Sequence, residues 1–112
     1  MNPEARSFLL TAAWLFARHG CGDRARTLCE ALVADDPSDG VAAAALAERL
    51  LEDRQPVRVL ELVSNAVFPP NLARAQALLE ARALRMLGRN AEAARRWHRH
   101  CAAAKGAARK WI

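Results

Sequence analysis

Two stretches of this chain, FLLTAAWLFARHGCGDRARTLC at residues 8–29 and QALLEARALRMLGRNAEAARRW at residues 76–97, share one pattern of small, apolar and glycine positions. The second stretch begins 68 residues after the first, and at that offset Gly20 meets Gly88. The other matched positions are Ala13 with Ala81, Phe16 with Leu84, Ala25 with Ala93, and Cys29 with Trp97. Each stretch has apolar residues at helical spacing on both sides of its glycine, so each predicts two helices joined by a short turn.

The offset of 68 is twice 34 residues, which is the period of the tetratricopeptide (TPR) repeat, a pair of antiparallel helices. At the single offset, Val59 falls on Ala25 and Val63 on Cys29, so a middle pair fits between the two stretches. We predict an all-α chain of about three TPR-like hairpins that stack into a right-handed superhelical array with a concave groove. The predicted helices are 4–18, 23–34, 39–53, 57–67, 71–87 and 91–104. The predicted repeats are 4–37, 39–70 and 71–104, in one domain at 1–105 followed by a C-terminal tail at 106–112.

Glycine and proline mark the predicted turns. Gly20 and Gly88 are expected to end the first helix of their repeats in the left-handed conformation. Pro37 and Pro70 are expected to stop the second helix, because proline cannot continue a helical hydrogen-bond ladder. Repeat two departs from this pattern, since Arg54-Gln55-Pro56 stands where the others have a glycine turn. A generic six-helix bundle with coincident spacing is the alternative.

The composition is typical of a helical protein, and it also bears on where in the cell the protein is expected to lie. Alanine is abundant, tyrosine is absent, and the net charge of +5 is uneven. Residues 1–61 hold 7 Lys/Arg and 10 Asp/Glu, a net of −3, whereas residues 62–112 hold 10 and 2, a net of +8. With no secretory signal, three cysteines and no apolar run of about 20 residues, we expect a cytoplasmic protein with free thiols and no membrane insertion.

The sequence offers no constellation for covalent chemistry. It lacks a glycine-rich phosphate loop and a nucleophile elbow. His98 and His100 point about 200° apart on a helix and do not form a ligand pair, while Cys29 and Cys101 fall at apolar repeat positions. We therefore expect no enzymatic activity, no cofactor, no metal and no small-molecule substrate.

In a TPR array the first helix of each pair lines the concave groove. The side chains that this register brings to the groove include Leu10, Trp14, Arg18, Glu48, Leu51, Leu78, Arg82, Arg85 and Met86. They form an apolar strip with charges of both signs on its rim, which suits an amphipathic helix of a partner. Trp14 is the predicted hot spot and Arg82 the predicted polar anchor. Alternatively, Trp14 packs against the chain's own N-terminal turn or C-terminal tail.

A family resemblance is carried by Phe8-Leu9-Leu10, Trp14-Leu15, Gly20, Arg24-Ala25, Leu28, Ala31-Leu32 and Pro37, and by Ala81-Arg82-Ala83, Gly88, Ala94-Arg95 and His100. In this order they resemble the YscY-type chaperones of bacterial type III secretion, while residues 40–75 match only in periodicity. The resemblance implies a cytoplasmic chaperone that holds a small helical export protein of the YscX type and engages the cytoplasmic domain of the export gate.

Three other readings stay open. Cys21, Ala25 and the Phe68-Pro69 turn resemble the YscG-type chaperones, which shield the needle subunit, although Trp14 and the third repeat favour the first family. A basic nucleic-acid-binding protein is the second, because residues 82–110 hold nine basic side chains and one acid; few aromatics accompany them, which makes nucleic acid a weaker partner. A structural subunit whose groove is filled by a second copy is the third.

Overall fold

A computed structural model, which describes residues 1–109, shows an all-α chain of six helices packed in sequence as adjacent hairpins. The helices are α1 (Pro3–Arg18), α2 (Gly22–Asp35), α3 (Gly40–Glu52), α4 (Pro56–Asn65), α5 (Ala73–Met86) and α6 (Asn90–Arg109). Hairpin 1 is α1–α2, hairpin 2 is α3–α4 and hairpin 3 is α5–α6. Helix α2 packs on α3, and α4 and α3 both pack on α5. The prediction of six helices in three hairpins is confirmed.

Side chains at the helix starts satisfy the exposed N–H groups there. The backbone N–H of Ala5 donates to Asn2 Oδ1 at 2.7 Å, and Pro3 occupies the first position of α1, where a missing N–H costs nothing. Asp39 caps α3 by accepting from the N–H groups of Val41 and Ala42. These local signals fix where two of the three hairpins begin.

The first helix of every hairpin ends in the same left-handed conformation, at positions 34 residues apart. Gly20 and Gly88 both have φ of 77°, and Arg54 has φ of 57°. In each case the following N–H donates back to a carbonyl near the helix end, and the donor of the middle hairpin is Gln55, 2.9 Å from the carbonyl of Leu50. Repeat two is therefore regular in backbone, although its sequence lacks the glycine. Arg54 bears the strain that glycine avoids in the other two hairpins.

The core is centred on α3, which is buried along most of its circumference. The core residues of α3 are Ala42, Ala43, Leu46, Ala47, Leu50 and Leu51. Small alanines let the neighbouring helices approach closely, and the leucines supply most of the apolar area removed from water. Ala13 and Ala83 contribute from the flanking hairpins, as do Val59 and Val63 from α4.

The loop after α4 lies against the first turn of α3. The N–H of Val67 donates to the carbonyl of Ser38 at 2.8 Å. A Cβ added to Gly40 would stand 2.4 Å from the Val67 carbonyl oxygen and 2.7 Å from Phe68 Cα. Only glycine at position 40 permits this approach, which brings the chain back to the start of α3 before α5 begins.

Three predicted boundaries are wrong by two residues or more. Helix α4 ends at Asn65 and not at 67, and Pro70, predicted to stop it, instead begins the 3-10 turn Pro70–Leu72. Helix α5 therefore begins at Ala73 and not at 71. Helix α6 continues to Arg109, so the predicted tail at 106–112 is helical as far as that residue. The alanines around Gly106 favour the helix enough to continue through it. Trp111 and Ile112 lie outside the described residues. Among residues 1–109 no helix combines the length and apolar character needed to span a bilayer.

Replacing Arg54 by glycine is expected to raise the free energy of unfolding by about 0.5 kcal/mol, because relief of left-handed strain of about 1–2 kcal/mol exceeds the added entropy of the unfolded chain. The reverse change, Gly88→Arg, is expected to lower it by a similar amount. Urea unfolding followed by circular dichroism measures both. If Arg54→Gly instead lowers the free energy of unfolding, the Arg54 side chain stabilises the fold by more than the left-handed backbone destabilises it.

Gly40→Ala is expected to destabilise the protein by about 1–2 kcal/mol, because the new methyl group overpacks against backbone atoms of the loop. Gly22 is the matched control: it is also the first residue of a helix, and a Cβ there meets nothing within 4 Å. Gly22→Ala is expected to be neutral or stabilising by about 0.5 kcal/mol. Equal unfolding free energies for the two variants would contradict the close approach.

Candidate partner-binding clefts

A first depression of about 340 Å³ lies between hairpin 1 and α3. Its lining residues are Leu10, Ala13, Trp14, Ala17, Ala25, Cys29, Val41, Ala45, Glu48 and Arg49. We call it cleft 1. Ala13, Ala25 and Cys29 form a buried floor, while Trp14 stands on the edge. Three of the predicted groove residues, Leu10, Trp14 and Glu48, are therefore brought together here.

Trp14 is 57 % exposed, so the alternative in which the chain's own N-terminal turn covers this side chain is wrong. The alternative in which it packs against the C-terminal tail concerns residues that lie partly outside the described part of the chain. The guanidinium carbon of Arg18 lies 4.8 Å from the centre of the indole ring, in a cation–π contact. More than half of the side chain nevertheless stays open to solvent. An exposed tryptophan beside an apolar cleft has the properties of a binding anchor.

A second depression, of about 410 Å³, lies on hairpin 3. Its lining residues are Leu78, Ala81, Arg82, Arg85, Asn90, Ala93, Ala94 and Trp97. We call it cleft 3. Beside it, a depression of about 370 Å³ is lined by Arg54, Arg82, Arg85, Met86 and Asn90. The remaining predicted groove residues of α5 are thus together on hairpin 3.

An ion pair connects the two clefts. Glu48 lines cleft 1, Arg82 lines cleft 3, and Arg82 Nη1 lies 3.2 Å from Glu48 Oε2. Both side chains are about half exposed, so the pair contributes at most about 1 kcal/mol. These residues were predicted to read a partner from the groove rim, but in the unbound chain they bind each other.

Leu51 is the predicted groove residue that the structure removes from the site. It is 1 % exposed and belongs to the core cluster, because α3 is covered by α2, α4 and α5 together. The 34-residue register predicts the same exposed positions on the first helix of every hairpin. Because α3 has more helices packed around it than α1, the position of Leu51 is covered. Trp97 differs in the opposite sense: it matches Cys29 at the 68-residue offset, but it is only partly buried on hairpin 3, whereas Cys29 is buried.

Sequence reasoning did not bring Arg54, Asn90 or Ala94 to the site. Ala93 and Trp97 were missed as well, and for these two a signal was available, because the 68-residue offset applied to the second helix of each hairpin sets them beside the α5 residues. The offset alone does not show whether these residues are exposed. Their exposure depends on whether a further hairpin covers them, which is a property of the assembled structure.

A bidentate ion pair sets α1 against the start of α3. Arg6 Nε lies 2.5 Å from Asp39 Oδ2, and Arg6 Nη2 lies 2.8 Å from Asp39 Oδ1. The hydrogen bonds from Arg6, reinforced by those from the N–H groups of Ala42 and Val41, hold the pKa of Asp39 below its usual value although partial burial opposes this. The pair thus fixes one end of cleft 1 and caps α3 with the same carboxylate.

No group of three His, Cys, Asp or Glu side chains in residues 1–109 is placed to hold a metal ion. Burial raises the pKa of the Cys29 thiol, so it stays protonated and packs as an apolar side chain in the cleft floor. What the clefts offer a ligand is apolar surface with arginines on the rim.

No known protein family matches this chain, and no curated protein is similar enough in sequence to count as a relative.

Asp39→Asn is expected to lower the free energy of unfolding at pH 7 by about 1–2 kcal/mol, because asparagine keeps the cap but loses the charge that Arg6 holds. The folded pKa of Asp39 is depressed, so its stabilisation is full above the unfolded pKa of about 3.9 and is lost as the pH falls through the folded value. Urea unfolding at pH 7 and at steps from pH 5 to 2 measures this.

In that series the wild-type and Asp39→Asn proteins are expected to converge in stability at the acidic end. Glu61→Gln removes an exposed carboxylate outside this pair and serves as the control, with a stability close to wild type at pH 7. A difference between wild type and Asp39→Asn that stays constant down to pH 2 would rule out the charge as its source.

Proposed function

We propose that this chain is a TPR-type binding module whose hairpins form a right-handed superhelical array, and that it holds a helical segment of another protein. The observation that carries the proposal is the exposed Trp14 at the edge of the apolar cleft between hairpin 1 and α3. An amphipathic helix has the shape and the apolar face to cover such a cleft, and its polar edge meets Glu48 and the rim arginines.

The partner class follows from the resemblance to the YscY-type chaperones. We propose a cytoplasmic chaperone of a bacterial type III secretion system, bound to a small helical export protein of the YscX type and presenting it to the cytoplasmic domain of the export gate. Export substrates of this kind expose apolar helix faces that aggregate unless they are covered. A chaperone with open apolar clefts and no chemistry of its own supplies that cover.

The direct test is co-expression with small helical proteins encoded beside this chain. We expect one of them to be recovered as a stable complex with it, and to aggregate when it is produced alone. A neighbour that is equally soluble, monomeric and stable by itself would argue against a chaperone function. Retention of this chain on DNA or RNA at low salt, lost at moderate salt, would favour the nucleic-acid alternative instead.

Trp14→Ala is expected to weaken binding of that partner by about 2 kcal/mol or more, a factor of roughly 30, if the indole is the central anchor. Phe8→Ala is the matched control, because Phe8 lies on the same helix, is 71 % exposed, and lines neither cleft. Its affinity should equal that of wild type. Circular dichroism first checks that both variants are folded, and isothermal titration calorimetry then measures their affinities. A Trp14→Ala affinity equal to that of wild type would remove Trp14 from the binding site.

A further inference from the structure

Cleft 3 is the same site as cleft 1, repeated two hairpins later. Adding 68 to the residues that hairpin 1 contributes to cleft 1 gives six of the eight residues that line cleft 3. The pairs are Leu10 with Leu78, Ala13 with Ala81, Trp14 with Arg82, Ala17 with Arg85, Ala25 with Ala93, and Cys29 with Trp97. The two depressions are thus formed by equivalent faces of hairpins 1 and 3.

The two clefts differ in what lies across them. In cleft 1 the face of hairpin 1 is met by α3, which contributes Val41, Ala45, Glu48 and Arg49. In cleft 3 every lining residue belongs to hairpin 3 itself. The difference appears in the burial of two pairs: Ala13 and Cys29 are buried, whereas the equivalent Ala81 and Trp97 are partly exposed. Ala25 and Ala93 are buried in both hairpins. Hairpin 3 therefore presents, uncovered, the surface on which hairpin 1 receives a helix.

The rim of cleft 3 carries more positive charge than that of cleft 1, whose two charged lining residues are Glu48 and Arg49. Arg82 stands in the place of Trp14 and Arg85 in the place of Ala17, and Arg54 lines the adjoining depression with both. Within residues 1–109 no carboxylate lies within 4.0 Å of Arg85 or Arg54. Arg54 also keeps a strained left-handed backbone where the other hairpins have glycine. Strain retained at one position points to a use for its side chain.

We propose that cleft 3 binds one acidic amphipathic helix of the partner protein, packed on hairpin 3 as α3 packs on hairpin 1, with its carboxylates on Arg54, Arg82 and Arg85. This inference rests on the proposed function, since it supposes a helical partner, and it adds a second contact region with a defined chemistry. Small apolar residues on one helix face would pack on Leu78, Ala81 and Trp97, which are exposed or partly exposed. Acidic residues on the neighbouring face would meet the arginines, which steer association and fix the register of the helix.

The chain itself supplies the probe, because α3 is the helix that fills the equivalent cleft. The probe is a synthetic peptide of residues 39–53, DGVAAAALAERLLED, which carries the acidic side chains of α3. A covalent link between the side chains at positions 46 and 50 keeps the peptide helical. Neither position lines cleft 1, so the link does not alter the face that would bind. The peptide is titrated into the full isotope-labelled chain and followed by the amide shifts of nuclear magnetic resonance. We expect shifts at Leu78, Ala81, Ala93 and Trp97, and weaker binding of a peptide with Glu48→Gln and Glu52→Gln.

Arg85→Glu is expected to weaken peptide binding at least tenfold. Arg99→Glu is the control with the same change of charge, because Arg99 lies on α6 but lines a different depression. It should leave the affinity within about twofold of wild type. Equal losses in the two variants would reduce the effect to overall charge and overturn the site.

The other possible results separate the fate of cleft 3 from that of the proposed function. Peptide shifts confined to Leu10 and Trp14, or no binding at all, reject cleft 3 as a helix site but leave the proposed function standing, since Trp14→Ala and co-expression test that separately. Shifts at Trp97 that appear without peptide and grow with protein concentration identify a second copy as the occupant and overturn the partner helix. Failure of co-expression together with specific peptide binding at cleft 3 would reject the chaperone and keep the cleft.

Discussion

The structure depends on burying α3 between its neighbours. An alanine-rich helix has little apolar surface on any one face, so it contributes enough only when several faces are covered at once. Helices α2, α4 and α5 provide that cover, and residues such as Ala43 and Ala47 are fully buried as a result. The flanking hairpins lack this symmetry because each has neighbours on one side only. Cleft 3, which is lined by hairpin 3 alone, is thus a consequence of packing the hairpins in sequence.

Electrostatics reinforces the same arrangement from outside the core. Arg6 holds Asp39, Arg58 holds Glu30, and Arg82 meets Glu48, so every hairpin is tied to another by at least one ion pair. The Arg6–Asp39 pair is the most shielded of the three, with the Asp39 side chain 11 % exposed, and its carboxylate also caps α3. When the carboxylate is protonated, the ion pair is lost and the cap is made by a neutral oxygen, which accepts more weakly. The exposed Glu48–Arg82 pair, in contrast, separates at little cost when a partner competes for its charges.

Local signals in the sequence were enough to predict the helices and the hairpins. Asn2, Gly20 and Gly88 act through a few neighbouring residues, and their effects on helix ends do not need the rest of the fold. The site was predicted less completely, since Leu51 proved to be buried and Trp97 partly exposed. Both depend on how many helices surround a position, which a periodic register cannot count. Nor does anything near Arg54 in the sequence indicate a left-handed backbone there, because the constraint comes from the hairpin that must close around it.

The common spacing of the three left-handed residues has an implication for how such a chain changes length over evolution. A tandem duplication of the middle unit, residues 39–72, would place a new hairpin between two surfaces that already accept its neighbours, and each copy would end its first helix at the same kind of turn. Such a duplication would need no substitutions in the core, provided that each copy keeps a compatible residue at the position of Gly40. A gene of this kind can lengthen by whole modules while its terminal surfaces stay unchanged.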